Sequence, residues 1–278
     1  MINQDLRLKG SLVFVTGACG LLGREHCRAI LKNGGLPVLI DIRESELQEF
    51  GTHLSREFSR KIPVYCCDIR NEDAVNAVFS DSVERNLESA TSLGLINNAA
   101  LNPKVESTGG LFQRPERIAK VEWDLAFDVG LYGALVCSNA FYREFIRHKF
   151  SRGSIVNISS DHGLISPKQS LYSNSSIDEP SQPVKPITYT LVKHALIGMT
   201  RYLSTLWANE GIRVNTLCPG GIFANQNNTF LEKFVKEVPL GRMARPDEYQ
   251  GSVVFLLSQE SSYMTGATLV IDGGRTVW

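Results

Sequence analysis

Residues Tyr172–Lys193 read YSNSSIDEPSQPVKPITYTLVK and contain two tyrosines, either of which could in principle move a proton. Only Tyr189 has a lysine one helical turn later, in the spacing Tyr189-Thr-Leu-Val-Lys193. A free phenol, with a pKa of about 10, is a poor base at neutral pH. An ammonium four residues on, along the same helix face, lies close enough to favour the phenolate. Tyr189 could then take an alcohol's proton during oxidation, or return it during reduction. Tyr172 has no such neighbour and is read as a bystander.

A second group of residues is suited to holding phosphates. An apolar strand over Leu12–Val15 runs into Thr16-Gly17-Ala-Cys-Gly20-Leu-Leu-Gly23, and a helix begins near Leu22. Such a turn lets backbone N–H groups and a helix N-terminus approach a pyrophosphate. The next apolar run ends in Asp41, 18 residues past Gly23. A carboxylate there can accept hydrogen bonds from both adenosine ribose hydroxyls and would repel a 2′-phosphate. NAD is therefore expected over NADP. Arg43 pulls the other way, because a guanidinium suits a 2′-phosphate.

Elements able to position these residues alternate along the chain. Ser11–Gly17, Leu36–Asp41, Pro63–Ile69, Leu93–Ala99, Ser154–Ser160, Ile212–Gly220 and the closing TLVIDGG read as strands. Several are apolar at consecutive positions, as a parallel strand covered on both faces requires. Arg24–Asn33, Glu72–Ser80, Val121–Lys149 and Tyr189–Asn209 have helical length. The pattern predicts an α/β fold: one doubly wound Rossmann-type parallel sheet of about seven strands, with helices on both faces. No linker divides residues 1–278, so one catalytic domain is expected. Between Gly163 and Pro186 the alternation lapses into a polar stretch with four prolines, too long for a routine connection.

Composition narrows the function classes. The 29 basic and 29 acidic residues cancel, which gives no broad attraction to nucleic acid or anionic lipid. The six cysteines form no C-x-x-C pair and no metal-ligand pattern with histidine, and read as reduced thiols. No uninterrupted apolar run approaches the roughly 18 residues of a membrane span. A cytoplasmic protein acting on a small molecule is expected, with no metal.

Taken in order, the motifs resemble the short-chain dehydrogenase/reductase family. They are Thr16-Gly17…Gly23, Asp68, Asn97-Asn98-Ala99-Ala100, Ser160, Tyr189-x-x-x-Lys193, Pro219-Gly220 and Ile271-Asp272-Gly273-Gly274. The resemblance implies that Ser160, Tyr189 and Lys193 form the catalytic group, with Ser160 orienting the substrate oxygen and Lys193 also holding the nicotinamide ribose. It places Gly17, Gly20, Leu22 and Gly23 at the pyrophosphate and Asp41 at the adenosine ribose. Asp68 and Ile69 are implied to border the adenine, Asn98 and Ala99 the adenosine side of the cofactor. Pro219, Gly220 and Ile222 are implied to lie against the nicotinamide. A homotetramer or homodimer is implied, with the helices of Val121–Lys149 and Tyr189–Asn209 as contact surfaces.

The sequence also departs from the family pattern. Its glycines fall as Gly-x-x-Gly-x-x-Gly, a spacing that resembles the extended branch of epimerases and dehydratases. Gly130 stands where many members have an asparagine that completes a water-mediated proton relay. Ala224 replaces a threonine that often contacts the cofactor. The Gly163–Pro186 stretch separates Ser160 from Tyr189 and brings His162, Lys168, Gln169, Tyr172 and Asn174 near the serine in sequence. With Asn225-Gln226-Asn227-Asn228, it favours a hydroxylated substrate. The chain most resembles a flagellin-modification and surface-polysaccharide subgroup, through Lys185-Pro-Ile-Thr-Tyr189 and Pro219-Gly-Gly-Ile-Phe. The expected activity is NAD(H)-dependent interconversion of a secondary alcohol and a ketone on a carbohydrate-like small molecule. A sugar-nucleotide epimerase or dehydratase that retains NAD, and a non-catalytic NAD-binding protein, are the alternatives.

Overall fold

Seven parallel strands form one sheet in the order β3-β2-β1-β4-β5-β6-β7. They are β1 (Ser11–Thr16), β2 (Leu36–Asp41), β3 (Val64–Cys66), β4 (Ser92–Asn97), β5 (Gly153–Ile158), β6 (Ile212–Pro219) and β7 (Thr268–Ile271). The computed structural model describes residues 7–102, 114–178 and 181–278. Strand β1 pairs with β2 on one side and β4 on the other, Leu12 standing opposite both Leu36 and Leu93. Chain direction across the sheet reverses at that point, and the carboxyl ends of β1 and β4 open into a crevice suited to a ligand.

The helices are α1 (Leu21–Lys32), α2 (Glu44–Glu57), α3 (Glu72–Asn86), α4 (Lys120–Phe127), α5 (Gly133–Arg147), α6 (Ile187–Leu206), α7 (Asn228–Phe234) and α8 (Gln250–Leu257). Helices α1 and α8 cover one face of the sheet, while α5 and α6 cover the other with α3 beside α5. Every residue of β2 and β5 is buried, which is why those strands are apolar at consecutive positions. Lys120–Arg147 is long and apolar enough to cross a membrane, but its α5 half packs against α3 and the sheet as a core helix.

Two expected elements differ in extent. Strand β3 stops at Cys66 rather than Ile69, because Asp68 turns the chain: its carboxylate accepts from the Arg70 N–H at 3.0 Å. Asn71 then caps α3. The single helix expected over Val121–Lys149 is broken by a π-helical turn at Asp128–Tyr132, centred on Gly130.

The Gly163–Pro186 stretch is loop, as its composition implies, yet its described residues are packed. Leu171 is buried against Phe234, Val238 and Met243. Lys168 pairs with Glu237 at 2.6 Å, and the Lys233 ammonium holds the Ser170 and Ser173 carbonyls. Loop and α7 therefore form one wall over the carboxyl ends of the strands.

One core residue sets an acid limit. His26 on α1 is fully buried, neither ring nitrogen has a partner among the described residues, and burial pushes its pKa down to about 3. The unfolded chain takes up this proton near pH 6.5. Stability is therefore expected to fall as pH drops from about 6.5 toward 3, by up to about 1.4 kcal/mol per unit. Melting temperature against pH should show it, with a shallower slope in His26→Leu; equal slopes would exclude this residue.

Candidate active site

Strand β5 ends at Ile158, and the next residues are stitched to α6 in both directions. The Lys193 ammonium donates to the Ile158 carbonyl at 2.7 Å, and the Ser159 hydroxyl donates to the Lys193 carbonyl at 2.7 Å. This fixes Lys193, 4 % exposed, against the strand that delivers Ser160. Tyr189 lies one turn earlier on α6, with the Lys193 Nζ 5.5 Å from its ring centroid. His162 meets the ring edge-on at 6.1 Å. Burial pushes the Lys193 pKa down to about 8. Burial also pushes the Tyr189 phenol up to about 12, against the pull of the Ser160 hydroxyl. The protein alone therefore holds Tyr189 as a phenol, ready to donate. The depression expected from the lysine spacing is outweighed by desolvation until further positive charge arrives.

Ser160 is buried and its hydroxyl donates to Asp161 at 2.7 Å. Asp161 in turn forms a buried ion pair with Arg275, near the end of the chain. With its hydrogen directed at Asp161, the Ser160 oxygen presents lone pairs to other donors.

The glycine turn is braced from three sides. Asn98 donates its side-chain amide to the Thr16 and Gly17 carbonyls, both at 3.0 Å. The Thr16 hydroxyl accepts from the Asn98 and Ala99 N–H groups. Asp41 accepts from the Cys19 N–H at 2.9 Å. A Cβ on Gly23 would lie 2.2 Å from the Gly17 carbonyl oxygen, so this turn closes only with glycine there. Gly20 caps α1 without a side-chain bond, and the first turn has no acidic residue. The α1 N-terminus thus offers backbone N–H groups and its dipole to an anion. A dinucleotide pyrophosphate fits that donor set.

Asp41 is buried, and its carboxylate also accepts from the Arg43 N–H and side chain at 3.1 Å. Burial would raise its pKa, but the hydrogen bonds from Arg43 and Cys19 outweigh this and hold it below the usual range. Arg43 is shared with Glu46 at 2.9 Å, so its charge is balanced twice over.

Gly20, Leu22, Asn98, Ser160, Tyr189, Lys193, Pro219, Gly220 and Ile222 line one cleft of about 1410 Å³. Gly17 and Ala99 sit in the braced turn behind it, and Asp41 at the end of β2. Asp68 lies past β3, engaged by Arg70 at 2.6 Å, with Ile69 buried beside it. His162, just ahead of the loop, and Tyr172 and Asn174 within it reach the cleft, whereas Lys168 is paired with Glu237. Gln169 instead accepts from the Lys185 N–H at 3.0 Å. Arg242 and Arg245 brace Glu248 and Asp247. Asp161, Lys185 and Arg275 belong to the cleft and were not among the expected site residues. Lys185 sits four residues before Tyr189, mirroring Lys193 four after it, and that symmetry was a usable signal. Arg275 is 114 residues from its partner and gave none.

Gly130 has a structural explanation. A Cβ added there would meet the Val192 Cγ1 at 2.5 Å, one residue from Lys193. Gly130→Asn is therefore expected to cost about 1–3 kcal/mol by overpacking. Pairing it with Val192→Ala should recover part of that loss. Denaturant midpoints for the single and double variants measure both; a neutral single variant would contradict the packing account.

A family model described as "Enoyl-(Acyl carrier protein) reductase" matches residues 17–276. Post-translational flagellin modification protein A of Campylobacter coli is 32% identical, covering 96% of this chain and 98% of its own length. The NADH-dependent L-xylulose reductase of Ambrosiozyma monospora is 30% identical over 98% of this chain and 97% of its own. The solved structure of a short chain dehydrogenase from Leptospira borgpetersenii with bound NAD+ superposes with a TM-score of 0.77. It is 26% identical and covers 99% of this chain and 96% of that one. The sheet order, the cleft and these relatives converge: the chain belongs to the short-chain dehydrogenase/reductase family and is an oxidoreductase acting on CH–OH groups.

Proposed function

We propose that the protein is an NAD(H)-dependent dehydrogenase/reductase interconverting a secondary alcohol and a ketone on a small polyol-like substrate. The observation that carries this reading is that Ser160, Tyr189 and Lys193 line the same cleft as the uncapped N-terminus of α1. Backbone N–H groups of Gly20–Leu22 would hold the pyrophosphate, Asp41 the adenosine ribose and Lys193 the nicotinamide ribose. Pro219, Gly220 and Ile222 would border the nicotinamide, which when bound supplies the hydride acceptor or donor. Arg43 can yield Asp41 to a ribose because Glu46 remains its partner.

The proton side of the reaction belongs to the chain itself. In reduction, Tyr189 donates its proton to the substrate oxygen as hydride reaches the carbon. In oxidation it takes that proton back. Turning its hydrogen from Asp161, the Ser160 hydroxyl would donate to the substrate oxygen, ketone or alcohol, and so fix that oxygen beside Tyr189. Polar residues around the opening, including Asn174 and Gln226, favour a hydroxylated substrate, as does the likeness to a xylulose reductase. Exposed Val121, Leu125, Tyr202 and Leu206 on α4 and α6 support a homo-oligomer.

Turnover of NADH with L-xylulose and related ketoses, followed by absorbance at 340 nm, tests the reading. Net NADH loss with formation of the alcohol is expected. Isomerised or dehydrated product with no net NADH change would favour an epimerase or dehydratase instead.

A further inference from the structure

The charges lining the cleft do not balance. Among the described residues that line it, Lys185, Lys193, Lys233 and Arg275 face a single carboxylate, Asp161. Asp161 is committed to Arg275, and Lys193 donates to the Ile158 carbonyl. Lys233 donates to two carbonyls and a hydroxyl of Ser170 and Ser173. Lys185 has no carboxylate partner among the described residues. Among the described residues its ammonium has one hydrogen-bond acceptor, the neutral Asn102 side-chain oxygen, at 2.5 Å. An ammonium carries three donors, and those residues use one of them.

The position of Lys185 is specific. Its Nζ lies 4.4 Å from the Tyr189 ring centroid, nearer than Lys193. Burial lowers its pKa to about 8, which still leaves it charged at neutral pH. Among the described residues, two other buried nitrogens of cleft-lining residues lack partners, the Nε of Arg275 and the Nε2 of His162. Surplus donors and positive charge beside a reacting centre call for an acceptor-rich anion.

We propose that Lys185 is the anchor of an oxyanion subsite, and that the substrate is a hydroxylated acid or phosphate ester whose anionic group lies close to the reacting carbon. This deepens the alcohol/ketone reading and rests on it. Lys185 is then a specificity residue that binds substrate, while Tyr189 and Lys193 keep their roles. Carboxylate and phosphate share the chemistry, and the matched series below separates them.

The test is calorimetric titration of the NADH-loaded protein with xylitol, xylonate and xylitol 5-phosphate. Wild type should bind one of the two anions at least about tenfold more tightly than xylitol, as a charge-assisted hydrogen bond provides. The anion with the advantage identifies the group. Lys185→Met should erase that ratio, and Lys185→Arg should keep most of it. Because the ratio is taken within each variant, partial misfolding does not mimic the effect. A wild type with no tenfold preference for either anion, or a preference surviving in Lys185→Met, would overturn the proposal. The broader reading fails differently, through lack of NADH binding or of hydride transfer to any ketose.

Discussion

Tyr189→Phe is expected to lower kcat by about 10²–10⁴-fold, the range typical of a removed general acid or base. The phenyl ring keeps its place against His162 and beneath Lys185 and Lys193, so the variant isolates the hydroxyl. NADH affinity and melting temperature should change little. The pH dependence gives a second readout. With the phenol pushed up to about 12 by burial, the resting protein holds it protonated across the neutral range. Reduction by the wild type should therefore be flat near neutrality and fall only at alkaline pH. Oxidation should rise with pH, since it needs the proton gone, and the variant should lose both dependences. Near-full activity in Tyr189→Phe would remove Tyr189 from the mechanism.

Lys193→Met should be nearly as damaging to turnover, by about 10²-fold or more, because the phenolate loses its nearest fixed positive neighbour on α6. The alkaline limb of the oxidation profile should move to higher pH. Stability should move independently of activity. Burial holds the Lys193 pKa at about 8, below its ordinary value. The unfolded chain therefore binds more protons between the two values, and the wild type gains stability as pH rises from about 8 toward 10.5. Lys193→Met should reduce that gain to the part that Lys185, lowered over the same range, contributes. Parallel pH–melting curves for the two proteins would show that the ammonium is not desolvated as described.

Much of the fold was legible because consecutive apolar runs mark strands buried on both faces, and all seven runs became strands. The π-helical turn at Gly130 was foreshadowed by the glycine, since a local distortion is where a missing side chain is tolerated. The early end of β3 was not legible, because it depends on one carboxylate turning back on the Arg70 amide. At the site, helical spacing singles out Tyr189 and Lys193 as a pair, and both line the cleft. Asp161 and Arg275 could not be found that way, because their ion pair joins positions 114 residues apart. The phenol's net shift was also hidden: spacing shows the lysine, whereas desolvation appears only once the surrounding walls are placed. Lys185 lies between those cases, four residues before Tyr189 but ahead of the first residue of α6.

The cofactor links every step, and its identity turns on Asp41 and Arg43. Calorimetric titration of the purified protein with NAD⁺, NADH, NADP⁺ and NADPH tests that link most directly. A carboxylate held at the end of β2, beside an arginine already balanced by Glu46, predicts binding of the NAD pair at least about tenfold tighter than the NADP pair. Tighter binding of NADPH, or binding of none of the four, would contradict it.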